Sequence, residues 1–222
     1  EAQIIAEKRN KKESLNYITA EFSKIKMRNN KILFDIANFY KNSKEFEKAI
    51  KFYTLIIDTL DESSEIKSDL LYRRGGSYER IGKHKKADQD LLDALKIKPN
   101  DAYILNYLAY SWLERNYKIN EAIEMLEKAY SYKSNDPYII DSIGWAYYLV
   151  NDFLKAEKFL KRAVELMPDD PIVNDHYGDI LWKLNRKIQA RYFWVSVLKM
   201  DETEEEMMEK INIKIIEGLR NS

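Results

Sequence analysis

The sequence lacks features on which several classes of protein depend. It contains no cysteine, which excludes disulfides, thiolate metal sites and cysteine nucleophiles. Only 4 prolines and 6 glycines occur among its 222 residues, which disfavours turn-rich sheets and long disordered linkers and favours helices joined by short loops. No apolar run approaches the roughly 20 residues that cross a bilayer, so we expect no direct membrane insertion of this segment.

A charge excess of either sign is missing as well, because 37 Lys and Arg residues balance 37 Asp and Glu residues. Nucleic-acid binders usually carry a basic excess, since phosphate neutralisation supplies much of their affinity, so we expect no nucleic-acid partner. The only histidines, His84 and His176, are far apart in sequence, and Asp179 near His176 makes by itself only a weak metal site. We therefore predict no catalytic site, no metal and no cofactor.

What the sequence does contain is an internal repeat. Residues recur at an interval of 34: Asp136-Pro137 as Asp170-Pro171, Gly144 as Gly178, Ala122 as Ala156, and Ala156 as Ala190. Independent pairs at one interval indicate a repeat architecture, and 34 residues is the period of the tetratricopeptide repeat (TPR), a helix-turn-helix unit. Two helices per repeat predict about eleven to thirteen helices and no substantial strand content.

The segment 137–168 carries the clearest resemblance to the TPR family. Its motif Ile140-x-x-Ile143-Gly144-x-x-Tyr147 stands where the family has W-x2-L-G-x2-Y. The resemblance covers roughly residues 30–200 and implies an all-α fold, a right-handed superhelical solenoid of helix-turn-helix repeats. We predict five repeats in residues 30–200, a helical segment of an upstream partial repeat in residues 1–29, and a C-terminal capping helix in residues 201–222.

Local signals support these repeats. Gly144 and its equivalents lie midway along the first helix of a repeat, where the second helix must approach closely and a larger side chain would push it away. Asp136 and Asp170 can each cap a helix start, with proline in the following position, where no backbone N–H is needed. Arg74 occupies a position that is usually apolar, so we expect looser packing in its repeat.

The family resemblance also implies a candidate binding surface, because the first helices of TPR repeats line a concave groove. The candidate groove residues are Asn106, Tyr110, Asp141, Trp145, Tyr148, Asp175, Asp179 and Trp182. Amide and carboxylate side chains can hold the backbone of an extended peptide, and aromatic side chains are enriched at binding hot spots. The three aspartates favour a ligand with basic character. An alternative stays open for Trp145 and Tyr148, which are equally compatible with a place in the core between repeats.

These observations favour a non-catalytic scaffold that binds a protein or peptide. The segments 141–147 and 174–182 are similar to the C-terminal repeats of proteobacterial envelope TPR lipoproteins, which implies the periplasmic side of a bacterial envelope and an adaptor role for a protease, with a cytoplasmic address left open. Because the chain begins at Glu1 rather than Met, we interpret it as a fragment or a processed chain. The alternative function is a structural or self-association module of a larger multi-repeat protein, and a homo-oligomer is one of the oligomeric states that the sequence leaves open.

Overall fold

A computed structural model of the chain describes Glu13, Tyr17 and residues 29–219, and within these residues the secondary structure is helical with no strand. Eleven helices lie in the continuous part. They are α1 (Asn30–Asn42), α2 (Phe46–Ile57), α3 (Glu65–Arg80), α4 (His84–Ile97), α5 (Ala102–Glu114), α6 (Ile119–Tyr132), α7 (Pro137–Leu149), α8 (Phe153–Leu166), α9 (Pro171–Lys183), α10 (Lys187–Val197) and α11 (Glu205–Glu217). The predicted all-α fold is confirmed. None of these described helices combines the length and apolar character needed to cross a membrane.

The chain divides into two compact units, Glu1–Pro99 and Asn100–Ser222, called unit 1 and unit 2 below. Unit 1 contains α1–α4 and unit 2 contains α5–α11. In both units each helix packs most extensively against its neighbour in sequence, so that α1–α2, α3–α4, α5–α6, α7–α8 and α9–α10 form pairs, and α11 packs on α10. The predicted helical segment in residues 1–29 lies outside the described residues, apart from Glu13, Tyr17 and Asn29.

Small residues allow the two helices of each pair to approach closely. One alanine on every second helix is fully buried, at 0% exposure: Ala49, Ala87, Ala122, Ala156 and Ala190. On the facing helix of the fourth pair, a Cβ atom added to Gly144 would lie 2.8 Å from Cγ and Cδ2 of Leu160. Contacts that short do not fit in a close-packed interior, so the position requires glycine, as the repeat pattern predicts.

The first helices of unit 2 begin at capping aspartates. One side-chain oxygen of Asp136 accepts hydrogen bonds from the backbone N–H groups of the second and third helical residues of α7, at 3.1 and 3.2 Å. Asp170 does the same for α9 at 2.9 and 3.0 Å, and Asp101 for α5. Such caps satisfy backbone donors that the helix itself cannot pair. The predicted caps at Asp136 and Asp170 are confirmed.

The turn inside every helix pair has the same form, which the repeat analysis did not predict. After each first helix one residue adopts a left-handed backbone conformation: Lys44, Gly82, Asn116, Asn151 and Asn185, with φ between 52° and 70°. The turn between α5 and α6 contains a second such residue, Lys118, with φ 47°. Next to each of the first five, a backbone N–H bonds to a carbonyl five residues earlier, as Asp152 does to Tyr147 at 3.0 Å. This is the Schellman arrangement, which ends the first helix and turns the chain into the second.

Arg74 is accommodated by an ion pair. Its Nε and Nη2 donate to the two carboxylate oxygens of Asp90, each at 2.7 Å, and its Nη1 donates to Oγ1 of Thr54 at 3.0 Å. Bidentate pairs of this kind are among the stronger protein hydrogen bonds. The unusual arginine therefore ties α3 to both α4 and α2, in place of the looser packing expected from the sequence.

Candidate functional site

The eight predicted groove residues all lie on α5, α7 and α9, the first helices of the three pairs in unit 2. Because α7 contacts both α5 and α9, these residues share one continuous surface, which we call the inner face. Its two successive contact regions are called the α5/α7 junction and the α7/α9 junction. The side chains along the inner face differ in their partners, which are described helix junction by helix junction below.

At the α7/α9 junction, Asp141 pairs with a histidine. Nδ1 of His176 lies 3.0 and 2.9 Å from the two carboxylate oxygens of Asp141, and the two residues are only 6% and 5% exposed. Burial by itself would lower the pKa of His176, but the Asp141 carboxylate, helped by Asp175 and Asp179, raises it above the usual 6.5. The result is a buried, charge-assisted hydrogen bond between two consecutive repeats.

The aromatic residues of this junction stack on one another. The Trp145 ring lies between the His176 ring, at a centroid distance of 4.1 Å and an angle of 11°, and the Tyr148 ring, at 4.6 Å and 8°. Burial, together with the negative charges of Asp179 and Asp175, raises the pKa of the Tyr148 hydroxyl, so it stays protonated. Both faces of the indole are therefore covered within the chain, and a ligand would meet ring edges and the Tyr148 hydroxyl.

The carboxylates of α9 pair with a lysine from α11. Nζ of Lys214 lies 2.6 Å from Asp175 Oδ1 and 2.8 and 2.9 Å from the two oxygens of Asp179, and Trp194 Nε1 donates to Asp179 at 3.1 Å. Burial and the neighbouring Asp175 raise the pKa of Asp179 to about 6, although Lys214 opposes this. The described residues contain no group of three or more metal-ligating side chains that could hold an ion. These carboxylates are used in ion pairs instead.

Trp182, the last predicted groove residue, is covered by the end of α11. Gly218 adopts a φ of 77°, and a Cβ atom there would lie 1.9 Å from Cζ2 of Trp182, so only glycine fits against this ring. The Arg191 guanidinium and the Lys187 ammonium lie 4.8 and 5.2 Å from the ring centroid, at cation–π distances. The inner face is therefore occupied by the chain itself at α9.

The α5/α7 junction is open. A cavity of about 160 Å³ lies there and extends to the start of α9; it is lined by Asn106, Tyr107, Tyr110, Tyr138, Asp141, Ser142, Asp170, Ile172 and Val173. Oδ1 of Asn106 is buried and has no hydrogen-bond partner among the residues that the structure describes. Burial, reinforced by the charge of Glu114, raises the pKa of the Tyr110 hydroxyl, which therefore stays neutral. At the rim, Tyr138 and Ile172 are 58% and 48% exposed.

Repeat geometry explains why one acceptor is open and the others are not. Asn106, Asp141 and Asp175 occupy equivalent positions in three successive repeats. Asp141 meets the His176 ring on the next first helix, and Asp175 meets Lys214 on α11. The residue equivalent to His176 beside Asn106 is Ser142, whose hydroxyl donates to the carbonyl of Tyr138 at 2.8 Å and not to Asn106.

Sequence reasoning missed His176 and Lys214. His176 follows Asp141 by 35 residues, one more than the repeat period. This spacing, which places a histidine beside a carboxylate on the next first helix, was a signal available in the sequence. Lys214 lies beyond the last repeat, where the period places no residue. Its pairing with Asp175 and Asp179 follows only from how α11 packs.

The family model described as tetratricopeptide repeat matches residues 3–199 of the chain. The protein belongs to the tetratricopeptide-repeat family. Members of this family act as scaffolds that bind proteins or peptides, and they are generally non-catalytic. The protein therefore has the fold that these scaffolds share.

Curated relatives are similar over about half of this TPR chain. The TPR repeat-containing protein PA4667 of Pseudomonas aeruginosa is 32% identical over 111 residues, which is 50% of this chain and 19% of that protein. Anaphase-promoting complex subunit 3 of Schizosaccharomyces pombe is 21% identical over 108 residues, which is 49% of this chain and 15% of that protein. The similar regions therefore span less than a fifth of these relatives.

Solved structures confirm the fold. PilW, described as a widely conserved type IV pilus biogenesis factor, superposes with a TM-score of 0.70 at 19% identity over 85% of each chain. The pilF protein of Pseudomonas aeruginosa gives 0.66 at 16% identity, again over 85% of each. MamA from Desulfovibrio magneticus RS-1 gives 0.64 at 17% identity over 79% of this chain and 97% of that one. At such identities the likeness concerns the fold alone.

Proposed function

We propose that this TPR protein binds a segment of a partner protein along the inner face of unit 2, and that the segment enters at the α5/α7 junction. The observation that carries the proposal concerns Oδ1, the side-chain amide oxygen of Asn106. This atom is buried at the cavity and accepts no hydrogen bond from the residues that the structure describes. A buried acceptor left unpaired costs about 1–3 kcal/mol, so a ligand that supplies an N–H group gains that energy on binding.

The cavity defines the chemistry of the ligand. Its volume of about 160 Å³ suits one side chain, and its walls are formed largely by the rings of Tyr107, Tyr110 and Tyr138 and by Ile172 and Val173. An apolar side chain would bury its surface there, while a backbone N–H beside it pairs with the amide oxygen of Asn106. Two-point recognition of this kind is how extended peptides gain both affinity and register.

The other predicted groove residues have supporting places in this proposal. Asp141 and Tyr110 line the entry cavity. The edges of the stacked Trp145 and Tyr148 rings continue the surface towards α9, and Asp175, Asp179 and Trp182 form its far end beneath α11. Because Asp175 and Asp179 already hold Lys214 and Asp141 at the entry point already pairs with His176, the ligand needs no basic character to neutralise these carboxylates.

A finer role follows from the sequence resemblance to envelope TPR lipoproteins. We propose that the protein acts as an adaptor that presents a bound substrate to a protease of a bacterial envelope. The support is the similarity of segments 141–147 and 174–182 to those repeats. Identification of the cross-linked partner in the experiment below tests this role directly.

The experiment is site-specific photo-cross-linking in cells of the source organism. A photoreactive phenylalanine analogue replaces Tyr138, at the cavity rim, or Tyr132, which is similarly exposed at 49% but lies on α6. We expect a discrete adduct from position 138 only, and about a tenfold loss of that adduct when Asn106→Leu is added, because a hydrogen bond is lost. Equal adducts from both positions, or an adduct indifferent to Asn106→Leu, would place the binding surface elsewhere.

A further inference from the structure

The outward surface of unit 2 displays large apolar side chains. Among the large apolar residues that the structure describes, four have the most exposed side chains: Ile188 at 86%, Leu154 and Ile216 at 78%, and Tyr192 at 71%. All four lie on α8, α10 and α11, and none contributes to the inner face. Scattered apolar residues on a surface need no explanation, but a concentration on three of the last four helices marks an interaction surface.

Two stripes run along the second helices of the last two repeats. On α10, the exposed residues Ile188, Tyr192 and Val195 follow one another at intervals of four and three, so they lie on one side of the helix. On α8, the equivalent of Ile188 is Leu154, and the same spacing continues with exposed Lys158 and Lys161. The stripe on α8 thus begins with an apolar residue and ends with basic ones, whereas the stripe on α10 is apolar throughout.

The exposed side of α11 has the complementary character. Glu206, Glu209, Ile213 and Ile216 recur at intervals of three and four and are all exposed, whereas Ile211 points into the core at 0% exposure. This stripe begins acidic and ends apolar. The whole helices differ in the same sense, since α8 contains four basic and two acidic residues, and α11 contains four acidic and two basic residues.

We propose that this protein self-associates through these surfaces, with α11 of one copy lying antiparallel on the outer stripe of α8 of another copy. In this orientation Ile216 lies opposite Leu154, and Glu209 lies opposite Lys161. The two contacts form together because Glu209 and Ile216 are seven residues apart on α11, as Leu154 and Lys161 are on α8. Ile213 then lies opposite the aliphatic stem of Lys158, between these two pairs. A second copy is the occupant that the charges favour, since the chain itself carries both the basic stripe and its acidic partner.

The interface is heterologous, because two different surfaces meet. Such contacts form either a closed ring or an open chain of copies. Only a few side chains take part, so the buried area falls at the low end for protein interfaces and the association is weak and concentration-dependent. The exposed pairs within each helix, Lys161 with Glu165 at 3.9 Å and Lys210 with Glu206 at 2.7 Å, contribute little and can rearrange on contact.

Sedimentation velocity of the full chain across a range of concentrations tests the proposal. We expect reversible association that weakens about tenfold in each of the single variants Glu209→Lys and Lys161→Glu and is restored when one protein carries both changes. Ile216→Asp should abolish it. Glu121→Lys is the matched control, since it reverses an exposed charge on α6, away from both stripes.

The outcomes separate cleanly. Raised salt should weaken association of the native chain, because the charged pairs are exposed and therefore screened. A native chain that sediments as a monomer throughout would overturn the proposal, and so would a double variant that associates no better than the singles. Circular dichroism of every variant confirms that it folds, which these exposed positions permit. Partner binding at the inner face involves other residues and is tested independently.

Discussion

The α5/α7 and α7/α9 junctions of unit 2 are built from equivalent residues but end in opposite states. In the second, the Asp141 carboxylate meets a histidine, and a stack of three rings closes the surface above it. In the first, Asn106 stands in the same repeat position, but its neighbour Ser142 donates elsewhere, and a cavity remains. In this chain the state of the acceptor at each junction thus depends on the donor that the following helix supplies.

The contact between α9 and α11 extends this comparison. Lys214 takes the role there that His176 has at the α7/α9 junction, although its side chain is 20% exposed and that of His176 only 7%. Two different nitrogen groups, an imidazole and an ammonium, can therefore close the same kind of acceptor. The four predictions that follow test the comparison between open and closed junctions.

The largest effect is expected for Gly144→Leu, because α7 belongs to both junctions. A side chain at this position meets Leu160 Cγ and Cδ2 at 2.8 Å and its backbone nitrogen at 3.1 Å, so α7 and α8 must separate. We expect a loss of about 3 kcal/mol in unfolding free energy from overpacking, measured by urea denaturation. Tyr138→Leu on the same helix is the control and should change stability by less than about 0.5 kcal/mol, since Tyr138 is 58% exposed. Equal unfolding free energies for the two variants would mean that the contact between α7 and α8 tolerates a side chain at position 144.

Trp145→Ala should have the next largest effect, and it tests the closed junction directly. Removing the indole leaves both the His176 and the Tyr148 rings without a stacking partner. We expect a loss of about 2 kcal/mol, less than for a fully buried tryptophan. The matched change at the open junction is Tyr138→Ala, for which thermal denaturation should show little shift. If Trp145→Ala is also silent, its ring is a free groove residue.

A smaller, pH-dependent effect is expected from His176. Its pKa in the folded protein is raised, so the stability that its ion pair with Asp141 contributes is fully present below pH 6.5 and is lost as the pH rises through the folded value. The difference in unfolding free energy between the native chain and His176→Gln should therefore shrink as the pH increases from about 6 upwards. A difference that is constant with pH would show that the imidazole remains neutral.

The smallest effect on stability is expected for Asn106→Leu at the open junction. Replacing an unpaired buried acceptor by an apolar group of similar size removes its desolvation penalty, so the unfolding free energy should not fall and is expected to rise by about 1 kcal/mol. Asn174→Leu is the control, because its Nδ2 donates to the carbonyls of Pro168 and Asp170 at 2.9 and 2.8 Å, and it should cost about 2 kcal/mol. A large loss in Asn106→Leu would reveal a partner for Asn106 within the folded chain.

The repeat period, the helical fold and the close helix contacts could all be predicted from the sequence. Alanine and glycine recur at intervals of 34 to 38 residues because each repeat needs the same close approach, and capping aspartates recur in unit 2 because its first helices need the same start. The left-handed turn residues Asn116, Asn151 and Asn185 recur in the same way and were also open to prediction. Such features depend on local interactions, which a sequence displays directly.

The state of each predicted groove residue was decided by the tertiary structure. Asn106, Asp141 and Asp175 are equivalent in sequence, yet a serine, a histidine and a lysine from beyond the repeats face them in the folded chain. A polar pair forms only when two atoms come within about 3 Å, a distance set by the packing of one helix on the next. The sequence by itself determined which residues line the inner face, and the packing of α7, α9 and α11 determined which of their polar atoms find a partner within the chain.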